Sequence, residues 1–344
     1  MNLQKYIDEK YISVQKHPTK DLYIYNYTQK AQFDRVWTEE TMNCRGLILD
    51  GSGNIIARPF PKFFNLEEAI EQGEQLPLED FVIQEKFDGS LGILYWVGDE
   101  PFLATRGSFI SDQAKVGIEI LQGYRMYFNE LNRNYTYLFE IIYPENRIVV
   151  DYHGRRDLVL LAVIDTKTGE EKNVYEECSG FPFASYIDGI TDYKKLKDRS
   201  EENKEGFVIR FKSGRRYKVK FDEYVRLHRL VTGVNARRIW DLLRNDQTMD
   251  ELLERVPDEF FQWVKKTRDS LIQQFFDVEE MAIGLYKGAK ELPDRKSQAL
   301  YILKYPKDRR YSSIAFAMLD KKPHKDIIWS MLKPKHETPF KVEI

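Results

Sequence analysis

Two patterns of punctuation divide this chain and limit what it can fold into. Through residue 221, short runs of β-branched and aromatic residues are broken by Gly, Asp and Asn turn signals. Arg45–Asp50 and Asn54–Pro59 flank Gly51-Ser52-Gly53, and Leu91–Val97 and Phe102–Arg106 flank Gly98-Asp99-Glu100-Pro101. Gly206–Lys212 and Arg215–Phe221 flank Ser213-Gly214, while Tyr135–Tyr143, Arg147–Tyr152 and Leu158–Asp165 follow one another at close spacing as further strands. Hairpins at this density predict antiparallel sheets with a few helices, such as Ser111–Asn129, laid against them. Thr166–Ser179 and Lys194–Lys204 are polar and charged and are expected to be surface loops. After about residue 230 the apolar residues fall at helical spacing over Ala236–Arg244, Met249–Val256, Asp258–Lys287 and Arg295–Tyr305. The expected fold is α+β, an antiparallel-sheet domain over 1–232 followed by a smaller all-helical domain over 233–344.

Composition fits an ordinary folded chain of two domains: 344 residues, 42% hydrophobic and 31% charged. With 53 Lys and Arg against 55 Asp and Glu, the net charge of −2 excludes an indiscriminately basic coat or a polybasic membrane anchor. The apolar run Leu158–Ile164 is far shorter than the roughly 20 residues a spanning helix needs. Met1–Lys5 does not open a signal peptide, so a cytoplasmic monomer with no membrane partner is expected. Two cysteines, Cys44 and Cys178, are too few for a zinc cluster or a disulfide framework and are expected as reduced structural thiols. The histidines at 17, 153, 228, 324 and 336 lack metal-ligand spacing, and no Walker A phrase occurs.

The most informative segment is Glu85-Lys86-Phe87-Asp88-Gly89-Ser90-Leu91, directly after the apolar run Phe81-Val82-Ile83. A lysine that ends a strand before Asp-Gly projects its amine into a cleft, while the glycine lets the backbone turn and approach a ligand. Alone, this is a common turn. It is followed in order by Thr105-Arg106-Gly107-Ser108, Leu138-Phe139-Glu140-Ile141-Ile142, Leu160–Ile164, Lys204-Glu205-Gly206-Phe207-Val208 and Tyr217-Lys218-Val219-Lys220. This series resembles the motif set of the covalent nucleotidyltransferases, the superfamily of polynucleotide ligases and messenger-RNA capping enzymes. Cys44-Arg45-Gly46-Leu47-Ile48, Arg58–Asn65 and Tyr143–Val149 further resemble the bacteriophage-type RNA ligase 1 family, over roughly residues 20–230.

The resemblance implies a nucleotidyltransferase domain and an ATP-dependent RNA ligase. Lys86 takes AMP from ATP, AMP moves to an RNA 5′-phosphate, and an RNA 3′-hydroxyl displaces it; cleaved transfer RNA is one implied substrate. An unperturbed lysine holds its proton to about pH 10.4, so the chemistry calls for an environment that lowers Lys86. Lys218 and Lys220 alternate on a strand and share one face, placing both to depress Lys86 and hold the α-phosphate. Arg45 and Lys62 are the candidate clamps for the outer phosphates, and Arg106 and Tyr27 are further candidate contacts. Magnesium, or manganese, is expected from the phosphoryl chemistry, held largely through water by Asp88, Glu140 and Glu205. By resemblance Glu140 also meets the ribose of AMP, and adenine stacks near Leu160–Ile164 and Phe63 or Phe64.

Between Lys204 and Arg244 there are 12 Lys and Arg against 4 Asp and Glu, and a second surplus lies in Lys304–Lys335. Arg226, Arg229, Arg237, Arg238 and Arg244 exceed what AMP needs, and a phosphate-tracking groove is expected there, with a solvated helix face as the alternative. The same lysine chemistry also serves nicked DNA or GTP-dependent cap transfer. The Arg-Gly and Lys-Phe-Phe-Asn signatures, and the lack of an evident β-barrel after Lys220, point away from both. A non-catalytic RNA-binding module is a third reading, disfavoured because no charged motif member is missing.

Overall fold

The computed structural model describes residues 3–177, 180–196, 199, 201–253, 258–304 and 309–335. It has two compact units, Met1–Arg226 and Leu227–Glu343, with the helix Asp222–Gly233 running across the division.

Among the described residues the first unit carries thirteen strands in three sheets. Strands β1 (Ile12–Lys16), β2 (Leu22–Tyr27), β3 (Arg45–Asp50) and β4 (Ile55–Ala57) form an antiparallel meander in that order. The remaining strands are β5 (Phe64–Asn65), β6 (Phe81–Lys86), β7 (Ser90–Val97), β8 (Glu100–Ala104), β9 (Tyr135–Ile142), β10 (Asp157–Asp165), β11 (Glu171–Lys172), β12 (Gly206–Phe211) and β13 (Arg216–Lys220). They make a five-stranded sheet, β11-β10-β9-β7-β8, and a four-stranded one, β5-β13-β12-β6. All named pairings are antiparallel except β5 with β13.

Burial follows from the residue pattern. β9 and β10 are apolar almost without interruption because both faces of the central sheet are covered. Leu94, Leu103, Tyr137, Phe139, Ile141 and Leu158 pack with the helix Asp112–Gln122 on one side, and Ile24, Ile48, Ile93, Tyr95 and Leu138 pack on the other. Glu140 is the polar exception in the middle of β9. β13 is half-covered and strictly alternating: Tyr217 and Val219 enter the core while Arg216, Lys218 and Lys220 are half-exposed.

The expected strand Arg147–Tyr152 is irregular chain instead. The backbone N–H groups of Val149 and Val150 donate to the Asp88 carboxylate at 3.0 and 3.1 Å, which takes them away from any sheet ladder. The expected helix Ser111–Asn129 is an α-helix only over Asp112–Gln122, followed by a 3₁₀ stretch at Arg125–Glu130. Thr166–Ser179 holds the short strand β11 and a helical turn at Val174–Glu177. Cys44 is buried, and burial pushes its thiol up to about 12; Cys178 lies outside the described residues.

Every element of two or more residues described in the second unit is helical. Asn235 caps Ala236–Arg244 through the Arg238 N–H, and the long helix Asp258–Lys290 buries Val264, Leu271, Val278, Ala282, Leu285 and Ala289 at helical spacing. Residues 254–256 and 305 of the expected helices lie outside the described residues. No described helix is long and apolar enough to cross a membrane.

Candidate active site

Strand register assembles the site. Gly206 on β12 pairs with Lys86 on one side and Lys220 on the other. Two residues along, Val208 pairs with Gln84 and Lys218; two further, Arg210 pairs with Val82 and Arg216. Directly paired residues share a face, so these form three rows on one surface, spaced about 7 Å apart. Gly206 adopts φ +144°, and a Cβ there would sit 2.0 Å from the Val219 carbonyl oxygen. Only glycine lets β12 and β13 close at the row that carries Lys86. At Gly89 a Cβ would lie 2.6 Å from the Ile141 oxygen, so this glycine brings the turn after Lys86 against β9 and Glu140.

Glu205 lies between two ammoniums. Lys86 Nζ donates to its Oε2 at 2.6 Å and Lys220 Nζ approaches its Oε1 at 2.8 Å, with the carboxylate side chain only 3% exposed. Burial alone would raise Glu205, but Lys86 and Lys220 overcome it and hold the carboxyl below its usual range. Lys86 departs from expectation. Burial pulls its amine down, but Glu205, Glu140 and Asp88 outweigh that and the net direction is upward. In the unliganded cleft Lys86 is therefore an ammonium. The lowered lysine is Lys218, which burial and the charges of Arg45, Lys86, Lys62 and Lys220 bring to about 6.

A cavity of about 590 Å³ opens over this surface, and Arg45, Lys86, Arg106, Glu140 and Lys218 all line it. Arg45 Nη1 and Asn26 Oδ1 are buried there without hydrogen-bond partners. An orphaned guanidinium nitrogen in a cavity of cations fits an anionic ligand. Aromatic faces hold the cations in place: Arg45 and Lys218 lie 5.4 and 4.8 Å from the Phe63 ring. Arg106 donates to Tyr27 Oη at 3.2 Å. Lys62 reaches the group through its charge on Lys218.

Glu140 faces the cavity, and burial raises its carboxyl to about 7 against the opposing pull of Lys86 and Arg45. Asp88, the third expected carboxylate, is held by the surrounding chain. Its Oδ2 accepts the Val149 and Val150 amides and its Oδ1 accepts Tyr224 Oη at 2.8 Å, while its own N–H donates to Tyr152 Oη at 2.7 Å. Both oxygens are turned to the protein, so Asp88 fixes the turn after Lys86. Among the described residues no three His, Cys, Asp or Glu side chains form a metal cage. The donor set fits a hydrated magnesium carried by phosphate oxygens, with Glu140 and Glu205 as the carboxylates nearby.

The lining narrows the expected base contacts, Leu160–Ile164 and Phe63 or Phe64, and adds residues that carry no motif. Leu161 lines the cavity because the β9–β10 register skips it, and the bulge turns an otherwise buried strand residue into the cleft. Gln84 Nε2 donates to the Leu161 carbonyl at 3.2 Å and ties that bulge to β6. Phe63 also lines the cavity, whereas Phe64 faces Trp37 and Lys62. Gln84 and Arg216 were discoverable in the sequence by stepping two residues from Lys86 and Lys218; Asn26, Tyr152 and Tyr224 had no such signal.

The arginines of the expected groove are largely engaged within the chain. Arg226 pairs with Glu223, Arg238 with Asp241 and Arg244 with Asp326. Such exposed pairs are worth only about 0–1 kcal/mol and exchange readily for phosphate.

Comparison with known proteins extends the geometry. A bacterial chain from Thermovibrio ammonificans provisionally named an RNA ligase is 28% identical over 66% of this chain and 63% of its own length. An RNA ligase of Rhodothermus phage RM378 is 26% identical over 70% of each chain. A chain of Autographa californica nuclear polyhedrosis virus, provisionally named a bifunctional polynucleotide kinase/RNA ligase, is 28% identical over 63% of this chain. This chain spans only 35% of that viral relative's length. Residues 43–225, just over half the chain, match a family model described as RNA ligase, and that span holds Arg45, Lys62, Lys86, Arg106, Glu140, Glu205, Lys218 and Lys220. On that match the chain belongs to the bacteriophage-type RNA ligase 1 family.

Proposed function

We propose that this protein is an ATP-dependent RNA ligase that joins RNA 3′-hydroxyl and 5′-phosphate ends through a lysyl-AMP intermediate on Lys86. The observation that carries the reading is the arrangement around Lys86. Its amine ends β6 at a cavity wall, 2.6 Å from a buried carboxylate, in a cavity that also holds the unpartnered Arg45 Nη1. The triphosphate binds to Arg45, Lys62, Arg106 and Lys218, supported by Tyr27. Its charge makes protonation of Lys218 favourable, so that Lys218 and Lys220 together hold the α-phosphate. Lys86 gives up its proton along the contact to Glu205. The free amine attacks the α-phosphorus, the bond to the bridging oxygen breaks, and pyrophosphate leaves. Glu140 meets the ribose, while Leu161, Val208 and Phe63 offer apolar surface to the base. Glu140 and Glu205 would hold a hydrated magnesium ion through its waters, and the ion would supply positive charge to offset that of the leaving pyrophosphate. AMP then passes to an RNA 5′-phosphate, and the 3′-hydroxyl displaces it. Repair of cleaved transfer RNA is the proposed setting, with the 233–344 helical region selecting the RNA.

Lys218 is the competing nucleophile because it is the neutral amine of the resting site. It lies one row away from Lys86, over Phe63, and among the described residues it forms no ion pair with a carboxylate. Incubation with ATP labelled at the α-phosphate, followed by sealing assays on single-stranded RNA, nicked duplex and cleaved transfer-RNA stem-loops, tests the reading. Labelled protein and sealed RNA are expected. Label from GTP alone, or sealing of nicked DNA alone, overturns it.

A further inference from the structure

Among the described residues Lys62 has no counter-ion within ion-pair distance. Its Nζ lies 5.5, 5.3 and 5.2 Å from the ring centres of Tyr27, Trp37 and Phe64. The three rings brace one another: Trp37 meets Tyr27 edge-on at 5.2 Å and 88°, and Phe64 at 5.5 Å and 74°. Trp37 stands on a fixed connection between the helices Gln29–Phe33 and Glu39–Asn43. The Val36 N–H donates to the Ala31 carbonyl at 3.0 Å, and Thr38 and Thr41 form a reciprocal capping box one residue later. The Lys62 N–H donates to the Met42 carbonyl at 2.8 Å, which ties the two segments together.

We infer that Trp37 is a positioning residue of the nucleotide site: with Tyr27 and Phe64 it boxes the Lys62 ammonium in the orientation that meets the outer phosphates of ATP. A carboxylate would orient the lysine equally well but would cancel the charge that the phosphates need. Ring faces attract the ammonium through their quadrupoles without bringing a negative charge of their own. The same device serves the neighbouring guanidiniums, with Arg106 5.2 Å from the Tyr27 ring and Arg45 5.4 Å from Phe63. Tyr27 thereby joins Lys62 and Arg106 in one unit. The inference rests on the reading of the cleft as an ATP site.

The test is a double-mutant cycle in the full chain, read by adenylylation kinetics. Trp37→Leu, which keeps apolar volume without a ring, is expected to raise KM for ATP about tenfold with kcat little changed. Trp37→Phe should restore most of the loss. In a Lys62→Ala background, Trp37→Leu should add less than about twofold, because its partner is gone. Equal losses in both backgrounds overturn the inference and make Trp37 a structural residue. A second readout needs no ATP. In protein labelled with ¹³C-lysine, the Lys62 ε-methylene, assigned through Lys62→Arg, should be shifted upfield by ring currents and should lose much of that shift in Trp37→Leu. An unshifted Lys62 resonance in the parent also overturns the inference. A parent with a shifted resonance that takes no label from ATP keeps the box and refutes the nucleotide it was assigned to serve.

Discussion

Replacing Gly206 by alanine tests whether strand register builds the reactive centre. The residue has φ +144°, and its new Cβ would lie 2.0 Å from the Val219 carbonyl oxygen, 1.4 Å inside an ordinary 3.4 Å contact. The obstacle is backbone of the paired strand, so β12 and β13 must separate at the row that joins Lys86, Gly206 and Lys220. Opening by that amount stretches the 2.8 Å contact between Lys220 and Glu205 past the roughly 4 Å limit of an ion pair. Backbone strain and overpacking together cost about 2–5 kcal/mol. For a unit of this size that lowers Tm by about 5–15 °C. Misplacement on the ångström scale costs about a hundredfold in rate. Single-turnover adenylylation with labelled ATP, at a temperature where calorimetry shows the variant folded, measures the rate loss. Gly214→Ala is the control: it too has positive φ, at +85°, but nothing lies within 4 Å of its Cβ. It should lose stability modestly and no adenylylation. A folded Gly206→Ala that labels within about threefold of the parent refutes the argument.

Three other perturbations separate the roles of the charged groups. Lys218 is lowered to about 6, so between that pH and the ordinary lysine range the unfolded chain binds more protons and the burial of this amine destabilises the fold. Lys218→Met should raise Tm over the parent by a margin that grows as pH falls from 9 towards 6.5, and should abolish adenylylation; a margin independent of pH contradicts the assignment. Glu140 is raised to about 7, so the adenylylation rate should climb between pH 6 and 8 as the carboxyl ionises, and Glu140→Gln should remove that limb. Asp88→Ala leaves three buried donors unpaired and should cost about 3–5 kcal/mol in urea denaturation while the apparent magnesium affinity is unchanged in Asp88→Asn. A weakened magnesium dependence in Asp88→Asn restores Asp88 to the metal.

Local pattern was the legible part of this protein. The alternation of Arg216, Lys218 and Lys220 is visible in five residues, and the hairpin around Ser213-Gly214 is a turn signal between two periodic runs. What could not be read depends on partners distant in sequence. Arg147–Tyr152 has strand composition, but Asp88, some sixty residues earlier, takes its amides. The same contact turns Asp88, a candidate metal carboxylate in the sequence, into the protein. Leu161 sits in an apolar run whose period is broken by a bulge that only the register with β9 reveals. The upward direction at Lys86 was not legible because spacing counts the cations and gives no weight to Glu205, Glu140 and Asp88, which fold in around the amine. The box around Lys62 draws one ring from each of three segments, and nothing in the order Tyr27, Trp37, Phe64 marks them as neighbours.

The central claim is that AMP is carried by Lys86 and by no other lysine of the cleft. Mass spectrometry of peptides from protein incubated with ATP and magnesium, quenched and digested, locates the adduct directly. One adenylyl group on the peptide that contains Lys86 is predicted, absent in Lys86→Ala and still formed, more slowly, in Lys220→Ala. An adduct on Lys218, the amine that already lacks its proton in the resting site, contradicts the account.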